Sequence, residues 1–253
     1  MWAYGGGMAS DLLHNALHDQ AAAFRSAALR AGPNAEVATC PGWTVRHLVQ
    51  HLGQAYSRAE RSMHLEPGSP RPESARPPAE FDDVLAWWDE RLAELRHTLS
   101  TVDPDRRVRF LTGSGTPGDW ARRVAHETAI HRLDAEHALA ALGPDHVHDL
   151  IFDPELAADG IDEFLTAVLP AVDWTKHDRA GQVLVHSPDA GRAWLVEFRP
   201  GEPPEAGPVT GAALEVDATI AGTADAVYRK VWGRPSRAVV TGDTALAGLV
   251  SGL

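Results

Sequence analysis

The sequence predicts two domains, a bundle of four helices followed by a small α+β domain. Three observations carry this expectation. Apolar residues recur at helical spacing through the first part of the chain. After about Asp149 the pattern changes, and GQVLVHSP and RAWLVEFRP alternate in the manner of strands. Glycine and proline punctuate the segments throughout. The expected domains are residues 8–149 and 150–253.

The elements follow in order. Asp11 to Ala31 is rich in Ala and Leu, and Gly32-Pro33 stops it. Thr44 is placed to cap a second helix that runs to about Met63. Glu66 to Pro78 carries five prolines, Pro67, Pro70, Pro72, Pro77 and Pro78, and reads as a long loop. Val84, Trp87, Trp88, Leu92 and Leu95 mark a third helix from about Glu80 to Ser100. Thr112 to Gly118 is a Gly-rich connection. The fourth helix spans about Asp119 to Leu142 and ends at Gly143-Pro144.

Beyond the boundary, Pro154 to Leu169 reads as one more helix. GQVLVHSP and RAWLVEFRP form two strands around a turn at Pro188 to Gly191, and ALEVDATIAG is a third. Thr223 to Trp232 is a short helix, RAVVTG a fourth strand, and Asp243 to Leu253 a terminal helix. The strands are expected to be mostly sequential in the sheet.

Composition narrows the function classes. A hydrophobic share of 44% allows a sizeable core, and a formal net charge of -12 repels phosphate backbones. Nucleic acid is therefore not an expected partner. No apolar run has the length to cross a bilayer. MWAYGGGMAS lacks the basic and apolar regions of a secretory signal and reads as an extension before Met8. A single cysteine, Cys40, permits no internal disulfide and is in keeping with a reducing cytoplasm. The sequence leaves monomer or homodimer open.

A polar trio carries the chemistry. Glu127 and His131 stand four apart in WARRVAHETAIHRLDAEHALA, so they share one helix face. His51 lies on the stripe Thr44, Leu48, His51, Ala55 of the second helix. Inward side chains of facing helices are where bundles build metal sites. Two imidazoles and a carboxylate suit zinc with one coordination position left open. Such a site keeps a net positive charge, which favours loss of a proton from a bound thiol or water. Asp134, one turn beyond His131, is placed to support that histidine or to orient a substrate.

Duller pairings compete for the same residues. Glu127 is spaced to pair with Arg123, and His131 with Asp134, as solvated surface contacts. His47 and His51 make a rival i, i+4 pair. His126 and His137 lie off the stripe and are expected at the periphery. Cys40 reads as a packing thiol, and Trp43 as core.

CPGWTVRHLVQHLG, followed by WARRVAHETAIHRLDAEHAL, resembles the mycothiol-dependent maleylpyruvate isomerase family. That family belongs to the DinB-like, or YfiT-like, metal-binding four-helix bundles. ATIAGTADAVYRKVWGRPSRAVVTGDTALAGLV is similar to the family's C-terminal domain, which is related to sterol carrier protein 2. The resemblance implies metal ligands at His51, Glu127 and His131 and leaves His47 aside. It also implies a catalytic part for Arg234, in YRKVWGR, where a guanidinium suits bidentate capture of a carboxylate.

The expected function is a cytoplasmic enzyme that uses Zn2+, or another divalent metal, with mycothiol as thiol cosubstrate. Its other partner is a small-molecule electrophile, and the outcome is isomerisation or S-transfer. Two alternatives stand beside it. A metal-dependent hydrolase needs a general base, for which Asp134 is the candidate. A non-catalytic binding module needs a fourth protein ligand such as His47.

Overall fold

The structure is a computed structural model that describes residues 6–111, 113–143, 150–209 and 215–251, with side chains of the first helix described from Leu13. The chain divides into a helical unit ending at Leu150 and a second unit beginning at Ile151. Asp149, beside the expected boundary, lies outside the described residues, as does Pro144 of the expected helix stop.

The helical unit contains α1 (Gly6–Ala31), α2 (Val45–Met63), α3 (Phe81–Thr101) and α4 (Pro117–Ala140). Helix α1 packs chiefly on α4, while α2 packs on α3 and α4. The core between them holds Phe24, Leu48, Leu52, Tyr56, Trp88 and Leu95, each essentially inaccessible. Their removal from water is the main term that holds the bundle together. Helix α1 starts earlier than Asp11 and ends as expected, where Gly32 takes a left-handed conformation (φ +79°).

Helix α4 starts two residues earlier than expected. Thr116 accepts from the Asp119 N–H, and Asp119 Oδ2 accepts from the Thr116 N–H at 2.7 Å. This reciprocal cap, with Pro117 at the first position, fixes the start. The Gly-rich connection ahead of it is not plain loop: β1 (Val108–Phe110) and β2 (Gly113–Gly115) pair antiparallel. Thr112 between them lies outside the described residues.

The second unit opens with α5 (Pro154–Glu163), where the sequence indicated one helix to Leu169. The chain instead widens into a π turn over Phe164–Val168 and tightens over Leu169–Ala171. Pro170 explains the change, since it has no N–H to continue the helix ladder.

The sheet has the order β5-β4-β3-β6-β7, from β3 (Gly181–Ser187), β4 (Arg192–Phe198), β5 (Glu205–Pro208), β6 (Ala218–Ala221) and β7 (Val239–Gly242). Among the described residues only β3 and β6 pair in parallel. Val183 and Val185 face Val196 and Trp194 across the β3–β4 ladder, and all four are buried. Helices α6 (Ala224–Val231) and α7 (Thr244–Gly248) complete the unit, capped by Thr223 and Asp243. The third expected strand shortens to Ala218–Ala221, with Ala213 and Leu214 outside the described residues. The expected end of the last helix, Gly252 and Leu253, lies outside them too.

Candidate metal centre

Helices α2 and α4 are tied together close to the trio. The Tyr56 hydroxyl lies 2.7 Å from Thr128 Oγ1, which itself donates to the Val124 carbonyl at 2.6 Å. Burial pushes the Tyr56 phenol above its usual range, so it stays a neutral donor. One residue before Thr128 stands Glu127, and five before Tyr56 stands His51.

These contacts bring His51, Glu127 and His131 together. His51 Nε2 lies 2.8 Å from Glu127 Oε1, and His131 Nε2 lies 3.5 Å from the same oxygen. One ligand atom from each of the three falls within 4.8 Å of the others. A tetrahedron with zinc's usual bonds to nitrogen and oxygen has an edge of about 3.3 Å. The two separations from Glu127 Oε1 bracket it, as a donor set for a small divalent cation requires.

Glu127 and His131 are each held from behind. Arg123 Nη2 donates to Glu127 Oε2 at 2.5 Å, leaving Oε1 turned toward the histidines. His131 Nδ1 lies 2.9 Å from Asp134 Oδ2. Asp134 also accepts from Thr39 Oγ1 at 2.6 Å and from Cys40 Sγ at 3.5 Å. An imidazole whose Nδ1–H is engaged by a carboxylate presents Nε2 as the ligand nitrogen.

Both competing pairings therefore exist, but neither is a solvated surface contact. Asp134 is fully buried, Arg123 and His131 are each 7% exposed, and Glu127 is partly covered. Burial alone would raise the Glu127 carboxyl, but Arg123, with His131 and His51, holds it well below the usual carboxylate range. Burial works against a charged His131, yet Asp134, Cys40 and Glu127 hold its pKa well above the usual imidazole value.

Trp43 closes one side. Its ring lies 5.0 Å from that of His51 and stacks at 6.1 Å on that of His131. It packs against the core, as the sequence indicated, and covers both imidazoles as well. The turn that carries Thr39, Cys40 and Trp43 is fixed by Gly42 at φ +83° and by a bond from the Trp43 N–H to the Cys40 carbonyl. Cys40 is half-buried beside Asp134 and is more than packing. The short Cys-Pro-Gly-Trp turn was the available signal for these neighbours.

The remaining residues sit elsewhere. His47 is exposed, and its Nδ1 accepts from the Thr44 N–H at 3.0 Å, so it serves the start of α2. His126 lies off the trio but is fully buried, which corrects its expected place at the periphery; His137 is half-buried. Asp134 has no exposed surface for a substrate and meets the trio through His131 Nδ1. Arg234 belongs to the second unit, where Nη1 donates to the Trp232 carbonyl at 2.6 Å.

Fold and site together define a class, a four-helix bundle with an open His–Glu–His cluster in a chain that continues into a small α+β unit. Residues 14–136 match the model of the mycothiol maleylpyruvate isomerase N-terminal domain, and residues 155–249 match the MDMPI C-terminal domain. The chain belongs to the mycothiol-dependent maleylpyruvate isomerase family. Two solved structures share the fold, a mycothiol-dependent maleylpyruvate isomerase at TM-score 0.59 and a histidine-to-alanine mutant of such an isomerase at 0.61. Each match covers 93% of both chains at 15% identity. No curated protein matches the chain.

Proposed function

We propose that this chain is a metal-dependent enzyme that adds mycothiol to an electrophilic small molecule. One observation supports it above the rest: two imidazole Nε2 atoms converge on a single carboxylate oxygen whose partner oxygen is already held by Arg123. A zinc or similar ion there, when bound, lowers the pKa of a thiol that reaches its open position.

The chain's own residues prepare that site. His51, Glu127 and His131 supply the donors, and Asp134 fixes the tautomer of His131. Arg123 keeps Glu127 ionised, and Trp43 shields the imidazoles from water. With a thiol presented there, addition to an unsaturated acid, bond rotation and expulsion of the thiol amount to cis–trans isomerisation. Retention of the sulfur amounts to S-transfer. Family membership favours isomerisation. Arg234 keeps the part that the resemblance gives it, capture of a substrate carboxylate.

The alternatives are weaker on physical grounds. The hydrolase reading used Asp134 as base, but that carboxylate is fully buried and bound by Thr39, Cys40 and His131. The binding-module reading used His47 as fourth ligand, but that ring is engaged with Thr44.

Calorimetry tests the proposal. Mycothiol is expected to bind the zinc-loaded protein and to lose most of its affinity when zinc is removed or in Glu127→Ala. Equal binding with and without metal contradicts the proposal.

A further inference from the structure

The proline-rich segment after α2 is not a free loop but a strap that runs back along that helix. Arg46 donates to the Ala79 carbonyl. Gln50 Nε2 donates to the Pro78 carbonyl at 3.3 Å, and Ser57 Oγ accepts from the Ala75 N–H at 3.1 Å. Arg61 Nη1 donates to the Glu73 carbonyl at 2.6 Å. Residues 46, 50, 57 and 61 form one stripe of α2, and their partners run in the reverse order. At the far end, Arg109 binds the strap twice, through its N–H to the Leu65 carbonyl at 2.9 Å and through Nε to the Ser69 carbonyl at 3.1 Å.

This strapping gathers positive charge along α2, beyond the trio. Arg71 follows two residues after the carbonyl that Arg109 holds. Arg58 stands seven residues after His51, two turns along the same face of α2. The charges feel one another. Burial and then Arg71 lower the pKa of both Arg58 and Arg109, while Glu127 acts on Arg58 in the opposite sense.

Among the described residues, none of the three guanidiniums pairs with a carboxylate. Arg109 donates to carbonyls only, and no hydrogen bond from Arg58 or Arg71 is found. This is a chain with 35 acidic and 23 basic residues, so carboxylates are not scarce. A half-buried, unpaired cation held near two others is costly unless an anion completes it.

We propose that Arg58 and Arg71, with Arg109 beside them, form an oxyanion subsite in the helical unit that takes a carboxylate of the electrophilic substrate. Guanidinium forks match a carboxylate bidentately, and the subsite places the acid group along α2 from the trio. That the anion is the substrate's rests on the thiol-enzyme reading above; that an anion binds there does not.

Succinate, a small dicarboxylate that cannot alkylate Cys40, is the probe. It is titrated calorimetrically into the zinc-loaded full chain, with its neutral dimethyl ester as control. The expected result is saturable succinate binding, no ester binding, and a loss of about tenfold or more in Arg58→Gln/Arg71→Gln. Arg76→Gln, an exposed strap position, is expected to leave binding unchanged. Unaltered affinity in the double variant, equal binding of the ester, or no succinate binding by the wild type overturns the proposal. Should the double variant fail to fold, Arg71→Gln alone, at an exposed position, and Arg58→Lys carry the same comparison. Zinc content and mycothiol binding are measured on the same samples. In the wild type, absence of zinc-dependent mycothiol binding with succinate binding present contradicts the thiol-enzyme reading and leaves the subsite standing; mycothiol binding without succinate binding removes the subsite alone.

Discussion

His131 Nδ1 and Asp134 Oδ2 stand 2.9 Å apart on one turn of α4, and this contact decides which nitrogen of His131 faces Glu127. Asp134 is itself held by Thr39 and Cys40, which come from the turn before α2. His131 is thus oriented by a carboxylate that another part of the fold orients in turn.

The first prediction concerns this support. Asp134→Asn keeps an acceptor for Thr39 but removes the charge that holds the His131 Nδ1–H. Zinc affinity, measured by competition with a chelator, is expected to fall about 10- to 100-fold. An unchanged affinity would mean that Asp134 has no part in the site.

Glu127 has a second task, because Arg123 is 7% exposed and takes Glu127 as a carboxylate partner. In metal-free protein, Glu127→Ala is expected to lower stability by about 2–3 kcal/mol, a figure reduced for the partial exposure of Glu127. His51→Ala, which leaves the partly buried Arg123–Glu127 pair in place, is expected to cost clearly less. Denaturant unfolding of the two variants makes the comparison.

Gly53 tests the α2–α3 packing. A Cβ there would stand 2.2 Å from Trp87 Cζ3. Helix propensity alone favours Gly53→Ala by about 1 kcal/mol, but overpacking costs about 1–3 kcal/mol. A net loss is expected in the wild type, and a net gain in a Trp87→Leu background. The same sign in both backgrounds would show that the clash is not the cause.

Gly242 is bound more tightly to its conformation. It sits at φ +78°, and a Cβ would approach the Asp217 carbonyl oxygen to 2.2 Å. That oxygen and the Ala218 Cα beside it are backbone and cannot swing aside. Gly242→Ala is expected to destabilise the second unit by more than about 2 kcal/mol while zinc content stays at the wild-type level. Thermal unfolding and metal analysis check the two halves of that statement.

How far the sequence reached follows from the range of each contact. Helix spacing put Glu127 and His131 on one face, and the Thr44 cap marked the start of α2 within a residue. Strand alternation revealed β3 and β4, whose inward residues are all apolar or small. By contrast, β2 is Gly-Ser-Gly and β5 is Glu-Ala-Gly-Pro, and neither has a side-chain pattern to read. The pairing with a neighbouring strand makes them strands. The meeting of Thr39 and Cys40 with Asp134 spans 95 and 94 residues, beyond any local signal. The prolines of the strap announced a loop but not the side chains that pin its carbonyls, because those donors lie on α2.

Zinc-edge X-ray absorption of the loaded protein shows whether the trio holds the metal and whether a mycothiol sulfur reaches it. Before thiol is added, the expected shell is nitrogen and oxygen only, from His51, Glu127, His131 and solvent. Adding mycothiol should bring in one sulfur at about 2.3 Å, and the change should be absent when a variant of Glu127 or His131 no longer holds the metal. A zinc shell that already contains sulfur from Cys40, or one that mycothiol leaves unaltered, rules out a metal-bound mycothiol thiolate on His51, Glu127 and His131.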